Sequence, residues 1–213
     1  FPDGSAVTVN GGATWNLDGK IETIGSLAGG GNVLLGAAPL TTGGDGSSTT
    51  FSGSLAGSSY LRKRGAGMMT LSGVNSHSGG ARIEQGVLTV AGSGTLGSGD
   101  LQISSGAALQ LGDGGGPLAA MVAGNIANNG QVVYATASDH SYDGEISGSG
   151  SLVHHNSASG TLTLTGANSY AGGTAVNGGR LLVNNAAGSG TGSGDVVVNA
   201  GTLGGAGTIG GHV

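Results

Sequence analysis

The sequence predicts an all-β fold, a right-handed parallel β-helix of about nine or ten turns with no sizeable helix. Three observations predict it: glycine is abundant, charged residues are scarce, and short apolar runs alternate with a period of two. Glycine supplies 50 of the 213 residues, and charged residues make up 8%. Typical domains have about 7% glycine and about a quarter charged residues. A surface made of Ser, Thr, Asn and Gly suits strands and tight turns better than helices.

The strand prediction rests on the period of the apolar residues. Runs at 7–9, 88–90 and 162–164 place an apolar residue on each side of a threonine. Successive side chains of a strand point to opposite faces, so each run sends two apolar side chains to one side. No segment shows a 3.6-residue stripe over more than one turn. The stretch 117–127 allows either one short helical turn or a strand pair interrupted by Gly124.

An internal repeat dominates the organisation of the chain. Two copies, at about 53–112 and 144–207, share one pattern, and a weaker copy covers about 7–36. We interpret 1–213 as a single β-helix segment. The positions that match between the copies are predicted to be structural: Leu71, Gly73, Asn75, Gly79, Gly80, Gly86, Leu88 and Val90 in the first, and Leu164, Gly166, Asn168, Gly172, Gly173, Gly179, Leu181 and Val183 in the second.

Stacking explains both the repeat and the glycine content. A unit of about 20–25 residues cannot bury its own apolar face, so neighbouring units must stack to form a core. Corners of the coil then recur, and glycine adopts φ > 0 there at the lowest steric cost. Propeller blades carry aromatic signatures, whereas aromatic residues make up only 3% of this chain. Parallel crossovers are almost always right-handed, which predicts the hand of the coil.

Composition argues against several classes of partner and cofactor. The net charge is −5, with 6 basic and 11 acidic residues and no cysteine. Nucleic acid is therefore not an expected partner, because phosphate binding needs clustered cations. The only basic run, 62–64, is interpreted as a solvated strand or turn. Without cysteine there is no disulfide or thiolate metal site, and no metal or cofactor is predicted.

No catalytic motif is present, so we expect no enzyme. A nucleophile elbow and a phosphate-binding loop are both missing. Asp100 and Asp195 occupy equivalent repeat positions, which indicates a capping or turn role. The histidines are expected at exposed or edge positions, with His154 and His155 on opposite sides of a strand. The densest polar cluster is interpreted as a loop between turns: Asp139, His140, Tyr142, Asp143 and Glu145.

The repeat also resembles a known family. Its pattern runs Gly-x-Leu-Thr-Leu-x-Gly, Asn-Ser-Tyr-x-Gly-Gly-Thr-x-Val and Gly-x-Leu-x-Val, and residues 160–183 read GTLTLTGANSYAGGTAVNGGRLLV. This resembles the passenger-associated transport repeat of bacterial autotransporters. The first copy departs from the pattern at Met68-Met69, at His77 in place of the tyrosine and at Ala81 in place of the threonine.

The resemblance implies a function and a location. It implies a structural β-helical segment of a larger passenger, exported by type V secretion through the periplasm and outer membrane to the cell surface. There the segment would support translocation and folding, and adhesion or self-association. The implied partners are the outer-membrane translocator barrel of the parent protein, like chains, and host or cell-surface ligands. The alternative is a carbohydrate-binding or polysaccharide-cleaving β-helix, which rests on fold analogy alone.

Overall fold

The computed structural model describes residues 2–114, 116–120, 122–155, 157 and 159–213. Across these residues the backbone forms short strands and turns and no helix. The strands are, in chain order, β1 (Ala6–Val9), β2 (Thr14–Asn16), β3 (Glu22–Thr23), β4 (Ser26–Gly29), β5 (Asn32–Gly36), β6 (Leu40–Thr42), β7 (Thr49–Phe51), β8 (Ser54–Gly57), β9 (Leu61–Lys63), β10 (Met68–Leu71), β11 (Ala81–Ile83), β12 (Val87–Val90), β13 (Leu101–Ile103), β14 (Ala108–Leu111), β15 (Ile126–Asn128), β16 (Gln131–Tyr134), β17 (His140–Tyr142), β18 (Ile146–Ser147), β19 (Ser151–His154), β20 (Thr161–Leu164), β21 (Thr174–Val176), β22 (Arg180–Val183), β23 (Val196–Val198) and β24 (Thr202–Gly204).

These strands form four parallel sheets. The long sheet has ten strands in the order β1-β4-β7-β10-β12-β14-β16-β19-β21-β23, and the second sheet has seven in the order β18-β15-β13-β11-β9-β6-β3. A three-stranded sheet, β2-β5-β8, and a four-stranded sheet, β17-β20-β22-β24, complete the set. Every strand of the two smaller sheets follows a strand of the long sheet, and where the second sheet also has a strand in that turn the smaller-sheet strand precedes it, as in β1-β2-β3 and β16-β17-β18. We therefore treat them as parts of one third face.

The chain thus visits the long sheet, the third face and the second sheet in turn, which makes a three-faced solenoid. Register partners in neighbouring strands of the long sheet are one turn apart. The length of a turn varies: the step from Leu71 to Val90 is a short turn, and the step from Leu111 to Tyr134 is a long one. The predicted all-β parallel solenoid of about nine or ten turns is confirmed by the ten strands of the long sheet. Its right-handed sense stays a prediction.

The core consists of stacked columns of inward side chains. Each strand of three or four residues turns alternate side chains inward, as the period of two predicts. Along the long sheet one column is formed by register partners that are all buried: Phe51, Leu71, Val90, Leu111, Tyr134, His154 and Val176. Because each side chain packs on its counterpart one turn away, burial comes from neighbouring turns and not from within a turn.

The stretch 117–127 is not helical at any residue the structure describes. Leu118 makes an isolated parallel bridge to Gly92, and β15 begins at Ile126. Gly124 lies just before that strand, where a Cβ atom would come within 2.4 Å of the Gly99 carbonyl oxygen. Of the two predicted alternatives, the interrupted strand describes this stretch better. No helix long and apolar enough to cross a membrane occurs in the described residues.

Candidate functional site

The most specific feature of the repeat is a buried asparagine that links three turns. The Oδ1 atom of Asn75 accepts a hydrogen bond from the backbone N–H of Leu55 at 2.8 Å, one turn earlier. Its Nδ2 atom donates to the carbonyl oxygens of Gly73 at 3.1 Å and of Thr95, one turn later, at 2.7 Å. Asn75 is only 4% exposed. The amide therefore satisfies buried backbone groups where no strand ladder does so.

The second copy reproduces this arrangement with the equivalent residues. The Oδ1 atom of Asn168 accepts from the Ile146 N–H at 2.7 Å. Its Nδ2 atom donates to the carbonyl oxygens of Gly166 at 3.4 Å and Gly190 at 2.6 Å. Asn185 forms a related link, because its Oδ1 atom accepts from the Thr208 N–H at 2.9 Å. The predicted repeat positions at 75 and 168 thus lie in the same chemical environment.

The two copies occupy different faces of the solenoid. In the first copy Leu55 lies on the third face, Leu61 in the second sheet and Leu71 in the long sheet. Their partners in the second copy are Ile146, Leu152 and Leu164, which lie in the second sheet, the long sheet and the third face. Each strand of the second copy therefore lies one face further along the chain's path than its equivalent in the first copy. The separation of the two copies along the chain is therefore not a whole number of turns.

The predicted apolar repeat positions all contribute to the core, and they meet in pairs. Leu71 is the register partner of Val90, and Leu164 is that of Val183. The other two predicted apolar repeat positions, Leu88 and Leu181, are fully buried. Each copy therefore spans two successive turns and supplies both halves of a contact between them.

The repeat glycines lie at positions where a side chain has no room. A Cβ atom at Gly73 would lie 2.0 Å from the Gly53 carbonyl oxygen, and one at Gly166 would lie 2.3 Å from that of Gly144. The glycines at 79 and 172 are crowded in the same way by the preceding turn. The glycines at 80, 86, 173 and 179 have positive φ, between +54° and +80°. Glycine is required at these corners for spacing or for backbone conformation.

Two departures of the first copy from the repeat pattern are coupled. In the second copy the buried Tyr170 hydroxyl lies 2.6 Å from the Thr174 hydroxyl, and burial raises the pKa of Tyr170 to about 12. The first copy has His77 and Ala81 at these positions. His77 is fully buried, and neither ring nitrogen has a hydrogen-bond partner of normal geometry. Because Ala81 offers no hydroxyl, a tyrosine at position 77 would lose the partner that Tyr170 has.

The interpretation of 62–64 as a solvated run is wrong for its middle residue, Lys63. Its side chain points into the solenoid and is 1% exposed. The ammonium donates to the carbonyl oxygens of Arg64 at 2.6 Å, Gly65 at 2.8 Å and Gln85 at 3.3 Å. Burial lowers the pKa of Lys63, and the negative charge of Asp45 partly offsets this. The strand alternation places the two flanking arginines outside and the lysine inside, in the column of Thr42 and Ile83.

The expectation of exposed or edge histidines is wrong for His77 and His154, both of which are fully buried. The Nε2 atom of His154 lies 3.2 Å from the Gly160 carbonyl oxygen. His155 is exposed and contacts Ser157, so the neighbouring histidines do face opposite sides. Burial lowers the pKa of His77, His140 and His154, so the neutral imidazole is favoured in the fold.

Three acidic residues, Asp100, Asp139 and Asp195, accept a hydrogen bond from the backbone of the next turn. Asp100 accepts from the Asn125 N–H at 2.9 Å, and Asp195 accepts from the His212 N–H at 3.1 Å, which suits the predicted capping role. In the polar cluster, Asp139 accepts from the Thr161 N–H at 2.6 Å. The interpretation of the cluster as a loop is wrong for His140 and Tyr142, which lie at the two ends of strand β17. Tyr142 is buried, and its hydroxyl donates to the Gly124 carbonyl oxygen at 2.8 Å.

Two further members of the cluster face solvent. Glu145 accepts from the Ser169 hydroxyl at 2.7 Å, and Asp143 is exposed. Burial raises the pKa of Tyr142, and the nearby charges of Asp100, Asp143 and Glu145 raise it further. Within the described residues no group of three or more His, Asp and Glu side chains is placed to hold a metal ion.

Sequence reasoning missed a cluster of arginines on the second sheet. Arg62 and Arg82 are register partners and point outward. The Arg82 guanidinium lies over the Tyr60 ring, 4.1 Å from its centroid. Glu84 pairs with Arg62 at 3.2 Å and with Arg64 at 2.7 Å. The signal in the sequence was the interval between Arg62 and Arg82, which equals one turn of the solenoid.

Comparison with known proteins fits this geometry. Residues 61–90 and 159–183 match the family described as Passenger-associated-transport-repeat. The chain is also similar to the Adhesin BmaC autotransporter of Brucella suis biovar 1 (strain 1330), with 37% identity over 147 residues. That alignment covers 62% of this chain and 4% of the Brucella protein, so the chain spans a small part of its relative's length. No solved structure matches.

The family matches coincide with the structural units. Residues 61–90 run from β9 to β12, and residues 159–183 run from just before β20 to β22. Each match contains one buried asparagine and a pair of stacked apolar strands. The chain is therefore a parallel β-solenoid that contains two passenger-associated transport repeats, and it is similar in sequence to part of an autotransporter adhesin.

Proposed function

We propose that this solenoid is a non-enzymatic adhesive segment of an autotransporter passenger, displayed at the bacterial cell surface. One observation carries the proposal: the chain shares 37% identity over 147 residues with an autotransporter adhesin. The fold is compatible with it, because the backbone and inward side chains are occupied in holding the turns together. Binding would then use the outward side chains of the three faces.

A cell-binding assay tests the adhesive role. Beads coated with the purified chain should bind host epithelial or macrophage cells more than beads coated with an unrelated β-solenoid of similar charge. The proposal fails if both bead types bind equally. Turnover of a panel of peptides and polysaccharides by the purified chain would contradict the non-enzymatic part.

We also propose that the repeats support translocation and folding during type V secretion. A short solenoid whose turns stack one by one can fold as it emerges from the outer membrane, because each turn needs only its neighbour. In the parent protein, replacing Asn75 and Asn168 by alanine should lower the amount of passenger at the surface, as measured by protease accessibility on intact cells. Unchanged surface display would contradict this role.

Self-association is a second candidate function, and one surface favours it. The outward column of the long sheet changes from Thr70 and Gln110 to Val153, Ala175 and Val197. Val197 is 52% exposed. An apolar stripe on a flat sheet can pack against the same stripe of a second chain. Val153→Thr with Val197→Thr should abolish concentration-dependent sedimentation of the chain, and sedimentation that persists in this variant would contradict the assignment.

The carbohydrate-cleaving alternative depends on Asp139 and Asp143. Asp139 is engaged by the Thr161 N–H, which favours a structural role. The double variant Asp139→Asn, Asp143→Asn should leave any glycan binding unchanged. Loss of binding or of glycan cleavage in this variant would support the alternative.

A further inference from the structure

Positive charge is concentrated on one face of an acidic molecule. The chain has only 6 basic residues against 11 acidic ones. Four of the six lie at 62–64 and 82, and Lys63 is turned inward. The three arginines that face outward, with Tyr60, form a surface that we call the basic patch. The side chains of Arg62 and Arg64 are 25% and 46% exposed.

The basic patch is not a requirement of the repeat. The second copy has Val153 at the position of Arg62 and Ala175 at the position of Arg82, and these two residues are also register partners. The same turn-to-turn contact therefore forms with small apolar side chains. The arginines must be explained by something other than the stability of the solenoid.

Within the basic patch, positive charge exceeds negative charge. Arg62 lies directly beside Arg82 in the sheet, and like charges at paired positions are destabilising. Glu84 is shared by Arg62 and Arg64. Arg82 contacts no carboxylate within the described residues and stacks on Tyr60 instead. Stacking covers one face of the guanidinium and leaves its N–H edge able to bind an anion.

We propose that the basic patch binds an anionic glycan, a sugar chain bearing sulfate or carboxylate groups that lies along the axis of the solenoid. The inference deepens the proposed adhesive function and rests on it, because it names the chemical class of the cell-surface ligand. Neighbouring turns are about 4.8 Å apart. Arg62, Arg82 and then Gln102 follow one another in register along that direction, so charged groups and a hydrogen-bonding amide are presented in a row.

The shape and charge of the basic patch favour a glycan over nucleic acid. A row of side chains on a flat sheet fits an extended polymer. Nucleic-acid binding proteins commonly neutralise about 6 to 10 phosphates, whereas this patch has three arginines on a molecule of net charge −5.

Binding to immobilised heparin tests the proposal, with hyaluronan as a carboxylate-only glycan, dextran as a neutral glycan and duplex DNA as a competing polyanion. The full chain should bind heparin, and binding should weaken as salt rises. The variant Arg62→Val with Arg82→Ala introduces the residues of the second copy, so it should fold. It should lose about tenfold or more in affinity. Glu84→Gln should strengthen binding.

The control variant is Arg180→Gln, which removes an exposed arginine on β22, far from the basic patch in sequence and on another sheet. It should bind heparin like the unmodified chain. Equal losses in the control and in the double variant would overturn the assignment, as would the absence of heparin binding. Binding to duplex DNA as tight as binding to heparin would overturn the choice of a glycan.

The inference and the proposed function can fail separately. If coated beads adhere to cells equally before and after enzymatic removal of sulfated glycans, the basic patch is not the adhesive site although adhesion stands. If the chain binds heparin but adheres to no cell, the adhesive function fails although the anion-binding site stands.

Discussion

Single buried polar residues connect the turns where backbone pairing alone does not. Asn75 and Asn168 each accept from a backbone N–H of the preceding turn and donate to a carbonyl of the following one. A buried polar backbone group without a partner costs free energy. These side chains therefore act as fixed links that continue the third face beyond its edge strand β8 and the second sheet beyond its edge strand β18.

Replacing Asn75 or Asn168 by alanine should strongly destabilise the fold. Each change removes the acceptor of one buried N–H and the amide donor to two backbone carbonyls, so we expect a loss of about 2 to 5 kcal/mol. Urea unfolding followed by circular dichroism measures this. Asn199→Ala is the matched control, because Asn199 makes an exposed hydrogen bond to Asn177. It should change stability by less than about 0.5 kcal/mol, and equal losses in all three variants would contradict the linking role.

Acid should destabilise the protein through its buried histidines. The pKa values of His77, His140 and His154 are lowered in the fold, mainly by burial. The unfolded chain therefore takes up protons that the fold does not. Stability should be fully present above the unfolded histidine pKa of about 6.5 and should fall as the pH drops below it. Urea midpoints measured between about pH 7.5 and pH 5 check this.

The second copy supplies the variant that tests the contribution of His77. Tyr170 and Thr174 occupy the equivalent positions, so His77→Tyr combined with Ala81→Thr should fold and reduce the loss of stability between neutral and mildly acidic pH. His77→Tyr alone should be less stable than the double variant, because its hydroxyl lacks a partner. An unchanged pH dependence in the double variant would show that His77 does not contribute.

At the scale of strands and corners, the repeat sets the order in which strands and corner glycines follow one another. It does not set the face of the solenoid on which each strand lies. The two copies differ by one face, yet the asparagine links, the stacked apolar pairs and the crowded glycines are the same in both. This is possible because all three faces offer a strand one environment: a parallel neighbour on each side and the core below. The corner glycines set how closely the turns approach.

Alanine at Gly73 or Gly166 should disrupt the stacking of turns. Its Cβ atom would lie within 2.3 Å of a carbonyl oxygen of the preceding turn at either position. Since backbone cannot easily move away, we expect a loss of about 3 kcal/mol or more. Gly44→Ala is the control, because nothing lies within 4 Å of a Cβ atom there and its φ is not positive. It should be neutral or slightly stabilising, and thermal unfolding would separate the two classes.

For the molecule as a whole, the solenoid should tolerate loss of a complete turn. Gly29 and Phe51 are register partners, so deleting residues 30–51 joins equivalent points of successive turns. The shortened chain should unfold cooperatively, and small-angle scattering should show a rod about 5 Å shorter. Deleting residues 30–40 removes about half a turn, so the strands on the two sides of the junction lose their register partners, and this chain should be less stable than the chain that lacks a whole turn. Equal folding of both deletions would contradict the stacked-turn description.

Much of this architecture could be predicted from the sequence. The alternation at 88–90 and 162–164 predicts inward apolar columns, and the excess of glycine predicts closely stacked corners. The repeat predicts which residues are equivalent, including Asn75 and Asn168. Only local spacing and composition are needed for these features, because a solenoid is built from contacts between neighbouring turns.

The candidate binding surface could not be predicted in this way. The sequence of the run 62–64 predicts three solvated cations. In the structure, strand alternation turns Lys63 inward, and the length of the turn places Arg62 beside Arg82. The expectation that His77 and His154 lie at exposed or edge positions was wrong for the same reason, since both side chains point inward and are buried.

Sequence alone was enough to predict the fold class, the approximate number of turns and the repeat that matches the passenger-associated transport repeat, because these depend on short-range periodicity. Three-dimensional structure was needed to decide which face each copy occupies and which side chains become neighbours one turn apart. The physical reason is the variable length of a turn, which is shorter between Leu71 and Val90 than between Leu111 and Tyr134. Small differences in turn length accumulate and set the face that each copy occupies, whereas the length of the single turn between Arg62 and Arg82 brings these two side chains together.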